Sequence, residues 1–250
     1  KHPKGLIAAA LANLGERFGF YTMMAILVLF LQAKFGMNGK EAGFIYSTFY
    51  FSIYILALVG GIIADKTRNY KGTIFTGIVL MAVGYLLLAI PSKTPVDNKM
   101  LYLVITCASL FVIAFGNGLF KGNLQALVGQ MYDNPQYANM RDSGFSLFYM
   151  FINIGAIFAP FAAVGVRNWW LSTFGYNYDA DLPALCHGQL AGTLSPEATE
   201  TYHTLVTKAS TAPVQDYTAF ASDYLNVFTT GFHYAFGVAI IAMAISLTIY

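Results

Sequence analysis

The sequence predicts an all-α membrane protein, a bundle of six transmembrane helices, and three observations carry that expectation. Of the 250 residues, 57% are hydrophobic, 16% aromatic and only 10% charged, where soluble domains carry about 25% charged residues. Several stretches hold roughly 20 or more mostly apolar residues, enough to cross a hydrocarbon core as a helix. None shows the alternating, roughly ten-residue segments of an outer-membrane barrel, so a helical bundle remains. A net charge of +2 speaks against a nucleic-acid partner. The bilayer is the partner that composition demands.

The spans follow in order. The first runs from about 5 to 36 and stops at Gly36. Asn13-Leu-Gly-Glu16-Arg17-Phe18-Gly-Phe20-Tyr21 places two charges in the middle of this run, at a depth where each costs a few kcal/mol. Neighbouring helix residues point about 100° apart, so Glu16 and Arg17 are not expected to face each other. The second span, about 41 to 65, sets Tyr46, Tyr50 and Tyr54 on one face and ends in a polar, mostly basic turn, Asp65-Lys66-Thr-Arg68-Asn-Tyr-Lys71. The third, about 71 to 91, closes at Pro91. The fourth, about 99 to 132, carries Gly116-Asn117-Gly118-Leu-Phe-Lys121-Gly122-Asn123, a second buried charge among glycines and amides. Gly15 with Gly19 and Gly118 with Gly122 have the spacing of close helix packing. The fifth, about 142 to 166, holds one central amide, Asn153. The sixth begins after Asp216.

The organisation expected from this pass is helices one to five over 1–166, a long connection over 167–216, and helix six over 217–250. The connection is longer than structureless loops usually are, and Ser195-Pro196-Glu197 reads as a helix start with an N-cap, proline at the first position and an acid in the first turn. A short helix outside the membrane is expected there. The final apolar run lacks a polar flank and the first residue is not Met, so the chain is expected to be part of a longer protein, most simply its amino-terminal half. Orientation by the positive-inside rule is undecided: Lys1, Lys4, Lys66, Arg68, Lys71 and Arg141 fall on one side, against Lys34, Lys40, Lys93, Lys99 and Arg167.

Asn13, Arg17 and Tyr21 share one face of the first helix, with Glu16 on the neighbouring stripe. An arginine fork suits a carboxylate or phosphate. Lys121 is a point charge, and its proton affinity and that of Glu16 respond to desolvation in opposite senses. A carboxylate facing a lysine in a low-dielectric cavity is the minimum apparatus for proton coupling. The alternative is a buried Glu16–Lys121 ion pair that only fixes helix packing. The four histidines have no metal-ligand spacing, and no hydrolytic nucleophile, catalytic set or cofactor motif is evident. Cys107 lies in an apolar run and Cys186 in the connection, which disfavours a disulfide between them.

With these residues laid out, the chain resembles the amino-terminal half of a proton-dependent oligopeptide transporter of the major facilitator superfamily, a fold of twelve helices. The first-helix stretch 13–21 resembles the family pattern E-x-x-E-R-F-x-Y-Y. Gly60-Gly61-Ile-Ile-Ala-Asp65-Lys66 resembles the cytoplasmic-loop motif G-G-x-x-A-D-R, shared across the superfamily. Lys121 matches the lysine of G-x-x-K-P-N, and Phe148-Tyr149-Met-Phe-Ile-Asn153-Ile-Gly155 matches F-Y-x-x-I-N-x-G. The resemblance covers residues 13 to 155.

It implies that Arg17 and Lys121 hold a peptide carboxylate, that Tyr21 and Tyr54 line the central cavity, and that Asn153 hydrogen-bonds the peptide backbone. Glu16 and Lys121 would couple protons, the only coupling ion, with no cofactor. The other wall of the site would come from the C-terminal half. Both termini and the loop holding Gly61, Asp65 and Lys66 would face the cytoplasm, with a bacterial inner membrane as the default location. This sequence departs from the pattern at Asn13, where the family has a glutamate, at Met24, where it often has an arginine, and at Phe20 and Gly122. An amide at 13 cannot exchange a proton near neutral pH. The readings left open are symport of short peptides, symport of another small amphoteric or anionic solute with altered coupling, and a scaffold that keeps the fold without transport. A membrane-embedded enzyme is disfavoured.

Overall fold

The computed structural model describes residues 1–250. The chain is helical apart from one isolated bridge between Tyr176 and Ser210. Its helices are α1 (Lys4–Phe35), α2 (Gly39–Thr67), α3 (Tyr70–Ala89), α4 (Lys99–Met131), α5 (Arg141–Thr173), α6 (Leu182–Ala191), α7 (Pro196–Ala209) and α8 (Tyr217–Ile249), with a 3₁₀ turn at Ala138–Met140. All but α6 and α7 are long and apolar enough to span a membrane, which makes six spans.

Local chemistry sets the boundaries. Gly36 ends α1 in the left-handed region, with φ of 64°, and its N–H donates to the Gln32 carbonyl; glycine adopts that conformation at least cost. Asn38 and Glu41 form a capping box, the Asn38 side chain accepting from the Lys40 and Glu41 N–H groups at 2.9 Å while Glu41 accepts from the Asn38 N–H at 3.0 Å. At α3, α4 and α8 the side chains of Asn69, Asn98 and Asp216 accept from backbone N–H groups of the first turn, without the returning glutamate. α3 stops at Ala89, because Pro91 forces Ile90 into an extended conformation with ψ of 114°.

α1 is the central helix. It packs against α8 and α5, while α3 lies between α4 and α8, and α2 rests on α4. Close approach uses small residues. Gly15 and Gly19 face Ala239, Ala242, Met243 and Ser246 of α8, and Gly118 sits against the backbone of Leu56 and Ala57 on α2. Gly122 departs from the expected packing pair: it is exposed, and a Cβ there would meet nothing within 4 Å. The packed partner of Gly118 is Gly60, about two turns before the end of α2 at Thr67.

The stretch after α5 differs from expectation in two ways. Arg167 does not end the helix; α5 continues to Thr173. The guanidinium is accommodated inside a helix because it bonds Asn168 Oδ1 at 2.9–3.0 Å and lies 3.5 Å from the centre of the Tyr178 ring. The remainder then forms two helices, not one. α7 begins where the N-cap indicated, with Ser195 Oγ accepting from the Ala198 N–H at 3.2 Å. The N-cap residue of α6, Asp181, makes no side-chain bond; Asp179 Oδ1 accepts from the Leu182 N–H at 3.1 Å instead, and docking holds the helix, with Leu182 and Cys186 buried and His187 bonded to the Ala33 carbonyl at 2.7 Å. Together α6 and α7 cover one end of the bundle, where α1, α3 and α5 finish and α4 and α8 begin. The turn at 67–70 and both chain termini lie at the other end.

Candidate functional site

Near the middle of α1, the buried charges build a two-sided arrangement. Glu16 is fully buried and Arg17 is 5% exposed. The Arg17 Nε and Nη2 both donate to the Glu16 carboxylate, Nη2 at 2.6 Å, and this is the one ion pair in the chain. The expectation that adjacent residues would not meet is therefore corrected. Cβ directions diverge by about 100°, but the long arginine stem folds back and presents its fork to a neighbour that has nowhere else to find charge. On the far side of the carboxylate, Asn117 Nδ2 donates to Glu16 Oε1 at 2.7 Å.

The alternative of a Glu16–Lys121 ion pair is likewise not what forms. Lys121 has no carboxylate within ion-pair distance, and its Nζ lies 5.3 Å from the centre of the Tyr54 ring. It opens instead, with Asn13, Arg17, Tyr21, Gln125, Phe148, Tyr149 and Ile152, onto a pocket of about 200 Å³ between α1, α4 and α5. Asn13 is 5% exposed and its Nδ2 has no hydrogen-bond partner. Arg17 also stacks its guanidinium 4.8 Å from the centre of Phe20.

The remaining singled-out residues lie outside this pocket. Tyr54 is 51% exposed and donates its hydroxyl to Tyr50 at 3.1 Å; the expected tyrosine face on α2 exists as a run of ring contacts from Tyr46 through Tyr50 to Tyr54. Asn153 is exposed on α5, one turn beyond Tyr149, and Met24 is half-buried on α1. Gly61 is half-buried with open space around it, Asp65 accepts a hydrogen bond from Tyr70, and Lys66 is exposed. Both cysteines are free, Cys107 exposed and Cys186 buried.

Sequence reasoning missed three groups. Asn117 is tied to Glu16 across a separation in sequence that no spacing rule reaches. Gln125 was one turn beyond Lys121 on the same face and was there to be read. Tyr85, fully buried on the otherwise bland α3, keeps its hydroxyl without a partner inside the bundle.

Six membrane-length helices around a midplane charge cluster define an integral membrane protein built as a helical bundle. The model of the POT family matches residues 71–250, and the chain belongs to that family. It is 34% identical over 182 residues to the peptide transporter YePEPT of Yersinia enterocolitica, covering 71% of this chain and 33% of that protein. Against dipeptide and tripeptide permease A of an Enterobacter species it is 34% identical over 179 residues, covering 71% of this chain and 32% of the permease. The fold matches crystal structures of the peptide transporter POT with sulfate, at TM-score 0.62 and 26% identity, and of a variant of it with alafosfalin, at TM-score 0.65 and 26% identity. These overlaps cover 99% of this chain and 37% and 38% of the solved chains. The chain thus spans about a third of the length of the relatives it matches.

Proposed function

We propose that this chain supplies one wall of a proton-coupled symporter of short peptides, di- and tripeptides, working by alternating access about a site at the membrane midplane. The observation that carries the reading is the division of charge in the pocket. Glu16 satisfies Arg17, while Lys121 faces the same space without an acid. The pocket therefore presents a net positive charge to a solute, with the amides of Asn13 and Gln125 and the phenol of Tyr21 around it. A peptide carboxylate fits that arrangement.

In this reading Lys121 binds the carboxylate directly, and Arg17 joins when Glu16 takes up a proton and releases its fork. Glu16 is the acid available for coupling, because Asn13 cannot titrate. Tyr54 and Asn153, on open faces of α2 and α5, contact the part of the peptide that extends toward the second half of the transporter. Both termini and the turn holding Asp65 and Lys66 face the cytoplasm, α6 and α7 lie outside, and the protein resides in a bacterial inner membrane. No cofactor is required. The family's relatives carry transporter and permease names, which supports the reading.

A second reading has its own support. Asn13 brings an unpartnered amide donor to the pocket, which favours a small anionic or amphoteric solute over an ordinary dipeptide. Uptake of labelled dialanine into proteoliposomes holding the full-length protein separates the readings. Peptide symport predicts accumulation that follows an inward proton gradient and collapses when the gradient is removed. Folded protein that fails to accumulate dialanine overturns it.

A further inference from the structure

A second cavity lies at the end of the bundle covered by α6 and α7, and it holds a second buried cation. Lys34, on the last turn of α1, is 2% exposed. Its Nζ donates to the Ser92 carbonyl at 2.5 Å, which occupies one of an ammonium's three donors. No carboxylate lies within ion-pair distance of it. Beside it stands His233 of α8, 4% exposed, whose Nδ1 is 2.6 Å from the Leu88 carbonyl. A carbonyl only accepts, so Nδ1 carries the proton; Nε2 is buried without a partner. Both residues line a cavity of about 320 Å³ whose other walls are chiefly apolar.

The position and walls of the cavity identify its ligand. Lys34 lies about 20 Å along the axis from the midpoint of α1, at 1.5 Å per residue. That is beyond the half-thickness of the hydrocarbon core, about 15 Å, and at the level of headgroup phosphates. The apolar lining includes Leu87 and Ile105, both about 40% exposed on the outer surfaces of α3 and α4, so the cavity opens where acyl chains lie. Lys93 and Lys99 stand exposed at the same end. An aqueous substrate path would not be walled in this way.

We propose that this cavity is a site for an anionic phospholipid, with Lys34 bonded to the phosphate. A headgroup hydroxyl, as in phosphatidylglycerol, would donate to His233 Nε2, and the glycerol backbone would rest between α3 and α4. A phosphate held by an ammonium is a charge-assisted bond, roughly twice as strong as a neutral one. The proposal stands apart from the peptide reading, since neither residue touches the midplane pocket.

The test is lipid retention by the full-length protein in native mass spectrometry, with melting temperature in detergent as a second readout. Phosphatidylglycerol, phosphatidylcholine and inorganic phosphate are the three probes. Phosphatidylglycerol should be retained and should raise the melting temperature, and the other two should not. Lys34→Gln, which removes the charge and keeps a shorter polar donor, should weaken retention roughly fivefold or more, and exposed Lys93→Gln should weaken it less. Leu87→Trp, which narrows the mouth and leaves the charge in place, gives the same loss should Lys34→Gln fail to fold. Equal retention by wild type and both variants overturns the site. Stabilisation by inorganic phosphate alone overturns the lipid as its source.

Discussion

Glu16 and Lys121 are both charges inside apolar helices, yet they are expected to respond differently to removal. Glu16→Gln leaves the Arg17 guanidinium buried without a counter-charge, a change of the kind that costs about 3–5 kcal/mol. Its melting temperature in detergent should fall sharply, and loss of uptake in that variant would say little about coupling. Lys121 has no ion pair and stands half-buried at a pocket, so Lys121→Ala should melt close to wild type while losing gradient-driven uptake. A destabilised Lys121→Ala would mean that the lysine serves packing. The presence of costly charges was legible because Glu16, Arg17 and Lys121 interrupt apolar runs. Their pairing was not, because the choice between Arg17 and Lys121 as partner of Glu16 depends on how long side chains fold back and on Asn117, which arrives from another helix.

Helix contacts divide the glycines sharply. A Cβ on Gly118 would run into the Leu56 carbonyl at 2.6 Å, and one on Gly122 would meet nothing within 4 Å. Gly118→Ala should therefore lose about 1–3 kcal/mol through overpacking, while Gly122→Ala should be neutral or gain up to about 1 kcal/mol from helix propensity. Comparison of the two melting temperatures checks this. The docking of α6 on α1 carries a pH signature. Burial pushes the His187 imidazole below its ordinary value of 6.5, the bond to the Ala33 carbonyl opposing in part. The unfolded form binds the proton more tightly, so stability is full above pH of about 6.5 and declines as pH falls below it. Protection of the α6 amides, corrected for the intrinsic exchange rate at each pH, should fall on acidification, and His187→Gln should flatten that response. In the same helix, burial pushes the Cys186 thiol up to about 12, so it should resist maleimide at neutral pH until the protein is unfolded. Spans were legible as apolar runs, and α7 through its N-cap. α6 was not, since its N-cap Asp181 makes no side-chain bond and contacts from distant parts of the chain stabilise it; the far end of α5 was hidden by a charge, Arg167, that an aromatic ring shelters.

Across the whole molecule, burial is uneven in a way that matters for assembly. α1 is the most enclosed span, while α2 and α5 leave most of their surface open, including Phe44, Phe51 and Leu58 at successive steps of seven along α2. The open faces carry Tyr54 and Asn153, on the two helices that also border the midplane pocket or its lysine. The two ends of the bundle should lie on opposite sides of the membrane. A cysteine at exposed Glu197 should react with an impermeant maleimide in intact cells, and one at exposed Lys66 only after permeabilisation; labelling of both from one side would contradict the proposed orientation. The central claim is that the pocket between α1, α4 and α5 seats the substrate's carboxylate on Lys121. Its most direct test is competition against labelled dialanine, for uptake and equilibrium binding by wild type and for binding alone by Lys121→Ala, by unlabelled dialanine and by dialanine amide, which lacks the carboxylate. The account predicts that the acid competes at least tenfold better than the amide in wild type and that the difference disappears in residual binding to Lys121→Ala. Equal competition by acid and amide in the wild-type protein would contradict it.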